Sequence, residues 1–152
     1  MIITFIGHST VCFHDKIKEV VKEKIRDNIA DNETVSCFLG GYGDFDRICA
    51  VACRELKSEY NEIELLYITP YISISEQKKI NEMQKSKLCD ASIYPPIEKV
   101  PLRYAILKRN EWMIEKADLV IAFVDKSYGG AFNSLNLAKR KKKRIINICD
   151  QI

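Results

Sequence analysis

No apolar run in this 152-residue chain approaches the ~18 residues that would span a bilayer, so no membrane segment is expected. The opening "MIITFIGHST" has no basic leader before its apolar run and no convincing small-residue cleavage site, so no secretory signal is expected either. Charge of one sign is not in large excess. Lys and Arg number 24 against 21 Asp and Glu, and a net charge of +3 is too small to argue by itself for nucleic acid. The six cysteines (Cys12, Cys37, Cys49, Cys53, Cys89 and Cys149) contain no CxxC pair. Cys49 and Cys53 share a helix face by their spacing of four, but no further Cys or His cluster completes a metal site. Four of the six sit in or beside apolar runs, where free cysteine packs as a small core residue. Reduced thiols in a cytoplasmic protein, with no metal and no cofactor, are therefore expected. Two phosphate signatures are missing as well. No Gly-Lys-Ser/Thr follows a glycine loop and no GxGxxG opens the first helix, which counts against an ordinary P-loop ATPase and a standard NAD dehydrogenase.

What is present is an alternation. Hydrophobic residues make up 47% and charged residues 30%, an ordinary globular balance for one domain over residues 1–152. Apolar runs at "IITFIG", "TVSCFLG", "IELLYITPY", "DLVIAFVD" and "RIINICD" read as strands, with "CDASIYPP" as a short further one. Between them lie helical, charge-rich segments such as "HDKIKEVVKEKIRDNIA", where Ile17, Val20, Val21, Ile25 and Ile29 recur at helical spacing. Ser75 is the expected cap of the third helix, and Pro101 stands near the first turn of the fourth. Strands alternating with helices imply βαβ units, a parallel α/β sheet and helices on both faces. Ligands of such sheets bind outside the carboxyl ends of the strands.

Four strand ends offer chemistry. The first is followed by Gly7, His8, Ser9 and Thr10, and the second by Gly40, Gly41, Tyr42, Gly43, Asp44, Phe45 and Asp46. The third is followed by Thr69, Pro70 and Tyr71, and the fifth by "DKSYGGAF" and then Asn133 and Ser134. Two of these turns join a strand to a helix through paired glycines, which lets a phosphate approach backbone amides and a helix amino terminus. Spacing alone leaves a nucleotide or sugar-phosphate site and plain turns both open. Asp46 either accepts a ribose hydroxyl or caps the second helix, Asp44 carries the same alternatives, and only one of the two is expected to face an anion. His8 either bonds backbone or touches a ligand. Trp112 reads as core or subunit contact, and His14 as surface. Arg109 is either a ligand contact or the partner of Glu111 or Glu115 on its own helix. "AKRKKKR" at 138–144 reads as cations complementing the carboxyl end of the last helix rather than as a nucleic-acid site.

The pieces "FIGHS", "LGGYGDFDRICA" and "RNEWMIEKADLVIAFVDKSYGGAFNSLNLAKRKKKRIINI" occur in an order that resembles the SLOG superfamily. Its members are Rossmann-like domains that bind nucleotides or nucleotide-derived ligands, and the likeness points to the small stand-alone bacterial branch. The chain keeps Gly7 and His8 but has Ser9 where that branch often places Arg. It keeps Gly43, Asp46, Arg109, Asn110, Met113, Gly129, Gly130 and Asn133. The superfamily also holds the Lonely Guy type phosphoribohydrolases, which release a base from a nucleoside monophosphate. Against their Pro-Gly-Gly-x-Gly-Thr-x-x-Glu pattern this chain has Tyr128 for the proline, Phe132 for the later glycine, Asn133 for the threonine and Asn136 for the glutamate. An amide neither takes a proton nor carries negative charge.

The resemblance thus implies a Rossmann-like three-layer α/β/α domain with a mainly parallel sheet ordered 3-2-1-4-5-6. It implies a binder of a nucleotide or nucleotide-derived small molecule, a sensor or carrier, with no membrane or nucleic-acid partner; many proteins of this architecture form homodimers. The implied ligand residues are Gly7, His8, Ser9, Gly40, Gly41, Gly43, Asp46, Arg109, Gly129, Gly130, Asn133 and Ser134. The alternative is an N-glycosidase in which Asp46 or Glu111 replaces the missing carboxylate.

Overall fold

The computed structural model describes residues 1–30 and 33–152. Six strands, β1 (Ile2–Gly7), β2 (Val35–Leu39), β3 (Ile63–Ile68), β4 (Ala91–Ile93), β5 (Leu119–Phe123) and β6 (Arg144–Asn147), form one sheet. Five helices intervene: α1 (His14–Asn28), α2 (Asp44–Lys57), α3 (Ile74–Lys85), α4 (Ala105–Lys116) and α5 (Gly130–Arg140). Every strand pairing is parallel, as the βα alternation predicts. No described helix is long and apolar enough to cross a membrane.

The pleat of the central strands divides the core. Ile3, Phe5, Leu119 and Ile121 point to one face, where Ile17, Val21 and Ile25 of α1 and Phe45, Cys49 and Leu56 of α2 close over them. Ile6, Val120 and Ala122 point to the other, against Ile114 of α4 and Leu135 and Ala138 of α5. β5 is buried at every position, which is why it reads as an unbroken apolar run. Cys37, Cys49, Cys53 and Cys89 are buried, Cys12 is exposed, and all six thiols are free.

The sheet order is 4-3-2-1-5-6 rather than 3-2-1-4-5-6: β4 lies outside β3 instead of beside β1. Asp90 fixes it there. Its backbone N–H donates to the Leu65 carbonyl at 2.7 Å, its carboxylate accepts from the Leu65 N–H at 2.8 Å, and it pairs with Lys57 of α2. With only three residues and two of them exposed, β4 has no apolar face that would demand a central place. The long connection through α4 then carries the chain across to β5, so the winding direction reverses between β1 and β5. The third helix also begins earlier than expected, because Ser73, not Ser75, accepts the Glu76 N–H at 3.1 Å. At the other end of the chain, Lys139 and Arg140 occupy the last turn of α5 and Lys143 donates to the Glu115 carbonyl at 2.8 Å, so much of the basic stretch serves helix ends.

Gly7 closes β1 against α2. A β-carbon there would stand 2.2 Å from ring atoms of Phe45, whose side chain is fully buried. Gly7→Ala is expected to lower the unfolding free energy by about 1–3 kcal/mol through overpacking. Urea denaturation checks this, and an unchanged midpoint would mean the end of β1 moves freely.

Candidate functional site

The winding reverses between β1 and β5, and ligand crevices of such sheets lie at the carboxyl ends of the strands at that point. A cavity of about 390 Å³ lies there, within the range of small-molecule sites. Thr4 and Ile6 of β1 form its floor, Arg109, Asn110 and Met113 of α4 one wall, and Lys126, Tyr128 and the start of α5 another. Among the residues implied by sequence, Gly7, His8 and Ser9 line it from β1, Gly40 and Asp46 from the turn after β2, and Arg109 from α4. Gly129, Gly130 and Ser134 line it from α5. Gly41 and Gly43 border a different cavity, and Asn133 is exposed and lines neither.

The two glycine turns are used differently. In the turn after β2 several polar groups are occupied by the protein itself. The Gly40 carbonyl accepts from Arg109 Nη1 at 2.8 Å and the Gly41 carbonyl from Lys79 Nζ at 2.8 Å. The Tyr42 N–H donates to Asp46 Oδ2 at 2.9 Å, and the Asp44 N–H to the Ser9 carbonyl at 2.9 Å. Gly43, at φ +98°, lies so close that a β-carbon would come within 2.7 Å of Ser9 Cα. This turn is a knot that ties β1, β2, α3 and α4 together. Of its two carboxylates, Asp46 faces the cavity while Asp44 accepts the Val11 N–H at 3.1 Å.

The turn before α5 is open. Gly129 has φ +93°, a conformation that favours glycine, and a β-carbon on Gly129 or Gly130 would meet nothing within 4 Å. No side chain caps this helix. Its first-turn N–H groups and the positive end of its dipole therefore border the cavity with room above them.

Arg109 is 1% exposed. Its guanidinium donates to the Gly40 and Ile68 carbonyls and, through Nε at 2.9 Å, to Asn110 Oδ1. It is thus a cross-link between α4 and the ends of β2 and β3 with one edge on the cavity. It is not paired with Glu111, which takes Lys108 at 3.1 Å. Burial pulls the Arg109 pKa down, and the nearby Asp46 charge opposes this most strongly. Burial pushes the Asp46 carboxyl up to about 6, against the Tyr42 N–H and the positive charges of Arg109 and Lys79. His8 Nε2 accepts the Asp125 N–H at 3.1 Å and lies 3.0 Å from that residue's carboxylate, so His8 joins the loops after β1 and β5. Trp112 stacks on Phe38 with ring centroids 5.7 Å apart, away from the cavity lining. The site residues not foreseen are Tyr42, Asn110 and Lys126. Tyr42 lies inside the glycine turn, Asn110 follows Arg109 in the quoted helix motif, and Lys126 stands in the quoted stretch after the fifth strand, so all three were within reach of the sequence.

Two outcomes follow from this electrostatic core. Arg109→Met leaves two backbone carbonyls without their donor and Asp46 with only Lys79 of its two positive neighbours, and is expected to cost about 3–5 kcal/mol in urea unfolding. Arg109→Lys restores only part, because one ammonium cannot reproduce the planar fork. Asp46 gives the second outcome. Its folded pKa of about 6 exceeds the unfolded value of about 3.9, so the folded chain holds the proton more tightly. The resulting stabilisation is full below about pH 4 and is lost as pH rises through about 6. Asp46→Asn keeps an acceptor for Tyr42 and escapes that loss. Its urea midpoint is expected to gain on the wild type steadily between about pH 4 and about pH 7. A pH-independent gap would show that the carboxyl titrates as in the unfolded chain.

No curated protein matches the sequence. The profile of the YspA SLOG family matches residues 12–148, from the loop after β1 to beyond the last strand, and so takes in both glycine turns and the whole of α4. With nine-tenths of its length matched in this way, the chain belongs to the YspA SLOG family.

Proposed function

We propose that this protein binds a nucleotide or nucleotide-derived ligand at the carboxyl ends of its strands, as a sensor or carrier. The observation that carries the reading is the open Gly129–Gly130 turn at the amino end of α5, facing a cavity at the reversal point of the sheet. Membership of a nucleotide-related Rossmann-like family supports it. In this reading the phosphate sits on the first-turn amides of α5, with the Ser134 hydroxyl within the same lining. The sugar lies toward Gly7 and Ser9, where ionised Asp46 accepts a hydroxyl. Arg109 spends Nε and Nη1 on the protein, while its Nη2 has no hydrogen-bond partner among the described residues, so that edge and the charge are what it offers the ligand.

A second reading is kept because of one observation: Asp46 is a carboxylate on the cavity wall whose pKa stands near 6. An N-glycosidase breaks the bond from C1′ to the base, water adds at C1′, and the base departs with a proton. A carboxylate of this kind would stabilise the cationic sugar or take the proton of the water. Glu111 has no such place, and Asn136 is not on the lining, so Asn136→Glu is not expected to create the activity.

Equilibrium dialysis against nucleoside mono- and diphosphates and dinucleotides, read by chromatography, separates these readings. Retention of intact nucleotide is expected. Gly130→Asp places a carboxylate where the phosphate would lie and should weaken retention at least about tenfold, whereas Gly130→Ala should change it little. Free base that vanishes in Asp46→Asn would establish the second reading, and neither retention nor free base would refute both.

A further inference from the structure

We propose a second binding site, between α2 and α3, for a small organic anion with a short apolar tail. The site is a separate cavity of about 280 Å³ on the other side of the turn after β2. Gly41 and Gly43 border it, the two glycines of that turn absent from the lining of the first cavity.

Its chemistry has two ends. Leu39, Ala50, Met83 and Leu88 supply an apolar wall, and Arg47 and Lys79 supply two cations. The ion pairs formed among the described residues use other cations than these two. Lys79 is held in place. Its ammonium donates to the Gly41 carbonyl at 2.8 Å and to the Tyr67 hydroxyl at 3.2 Å, and lies 3.6 Å from the centroid of the Tyr42 ring. An ammonium has three donors; two go to these oxygens and the third is left with the face of the Tyr42 ring, a contact that an incoming acceptor would replace. Burial lowers the Lys79 pKa, a cost that an arriving anion would offset. Arg47 is exposed at the mouth and free to fold over a bound head group. Asp46 also lines the cavity and Glu76 stands near Lys79, but the Asp46 carboxylate is directed to the Tyr42 N–H beside Arg109, so that three cations face two carboxylates and one positive charge is in excess.

A preformed pocket with an apolar wall and a few convergent polar groups is the usual build of a small-molecule site. A carboxylate or a phosphate monoester on a tail of a few carbons fits both ends, whereas a free nucleotide would place polar sugar against Leu39 and Leu88.

The test is a methyl-resolved NMR titration of the full chain, without nucleotide, using hexanoate, hexyl phosphate, hexanol and hexylammonium. Saturable shifts of the Leu39, Met83 and Leu88 methyls are expected with hexanoate or hexyl phosphate, and whichever is tighter identifies the head group. Lys79→Met, which keeps the apolar stem, should weaken binding at least about tenfold, and Arg47→Ala, a surface change, several-fold. Equal shifts with hexanol or hexylammonium, or unchanged affinity in Arg47→Ala and Lys79→Met together, would overturn the proposal. Loss of nucleotide binding in the first cavity would leave this result untouched, since no nucleotide takes part.

Discussion

A single buried guanidinium organises the carboxyl end of this sheet. Arg109 reaches from α4 to the carbonyls of Gly40 and Ile68, at the ends of two neighbouring strands. Those carbonyls would otherwise point into a region closed to water, where an unpaired acceptor is costly. The guanidinium is tolerable there only because several acceptors and the Asp46 carboxylate surround it. Asp46 in turn carries the Tyr42 N–H and so fixes the glycine turn. The wall of the cavity, the placement of α4 and the shape of the turn are thus one electrostatic unit. Removing any member leaves a buried polar group without its partner.

This unit also explains why two similar glycine turns behave differently. Both link a strand to a helix and both begin that helix after a glycine with positive φ. Around Gly43 the loop after β1 packs close enough that Ser9 accepts the Asp44 N–H and a side chain has no room. Around Gly129 nothing comes near. The Asp44 amide at the start of α2 is bonded to protein, and the start of α5 faces space. On the proposed reading, the anion goes where the protein has left donors unspent.

The alternation of apolar runs and amphipathic helices was legible because a parallel sheet covered on both faces requires it. β5 and the buried face of α2 follow from periodicity alone. β4 was not legible in its place, because its position depends on one aspartate bonding across to Leu65, a contact at a separation of 25 residues. The start of α3 was missed by two residues because Ser73 and Ser75 are both acceptable caps, and in the structure it is the Ser73 hydroxyl that accepts the Glu76 N–H. In the site, motif spacing brought Gly7, Gly40, Asp46, Arg109 and Gly129 to one cavity, but it gave no direction to their polar atoms. Arg109 as an inward cross-link and Gly41 as a neighbour of Tyr67 depend on packing partners far away in sequence.

The polar layer continues past Arg109 to the edge of the sheet. Glu76, only 6% exposed, accepts from the hydroxyls of Tyr67, Thr69 and Tyr42, and Lys79 meets the same tyrosines from the other side. Burial and the hydrogen bond to Glu76 push the Tyr67 hydroxyl far up, which keeps it a donor to Glu76 and an acceptor for Lys79 at any ordinary pH. Tyr42 is therefore held by its ring and by its hydroxyl, although it sits on an otherwise glycine-rich turn. A turn made only of glycines would be loose, and the conformational freedom lost on binding would count against affinity. Anchoring Tyr42 moves that ordering cost from ligand binding to folding. The layer of charged and hydroxyl groups beneath the turn is satisfied internally, and through Tyr42 it anchors the turn that walls the cavity.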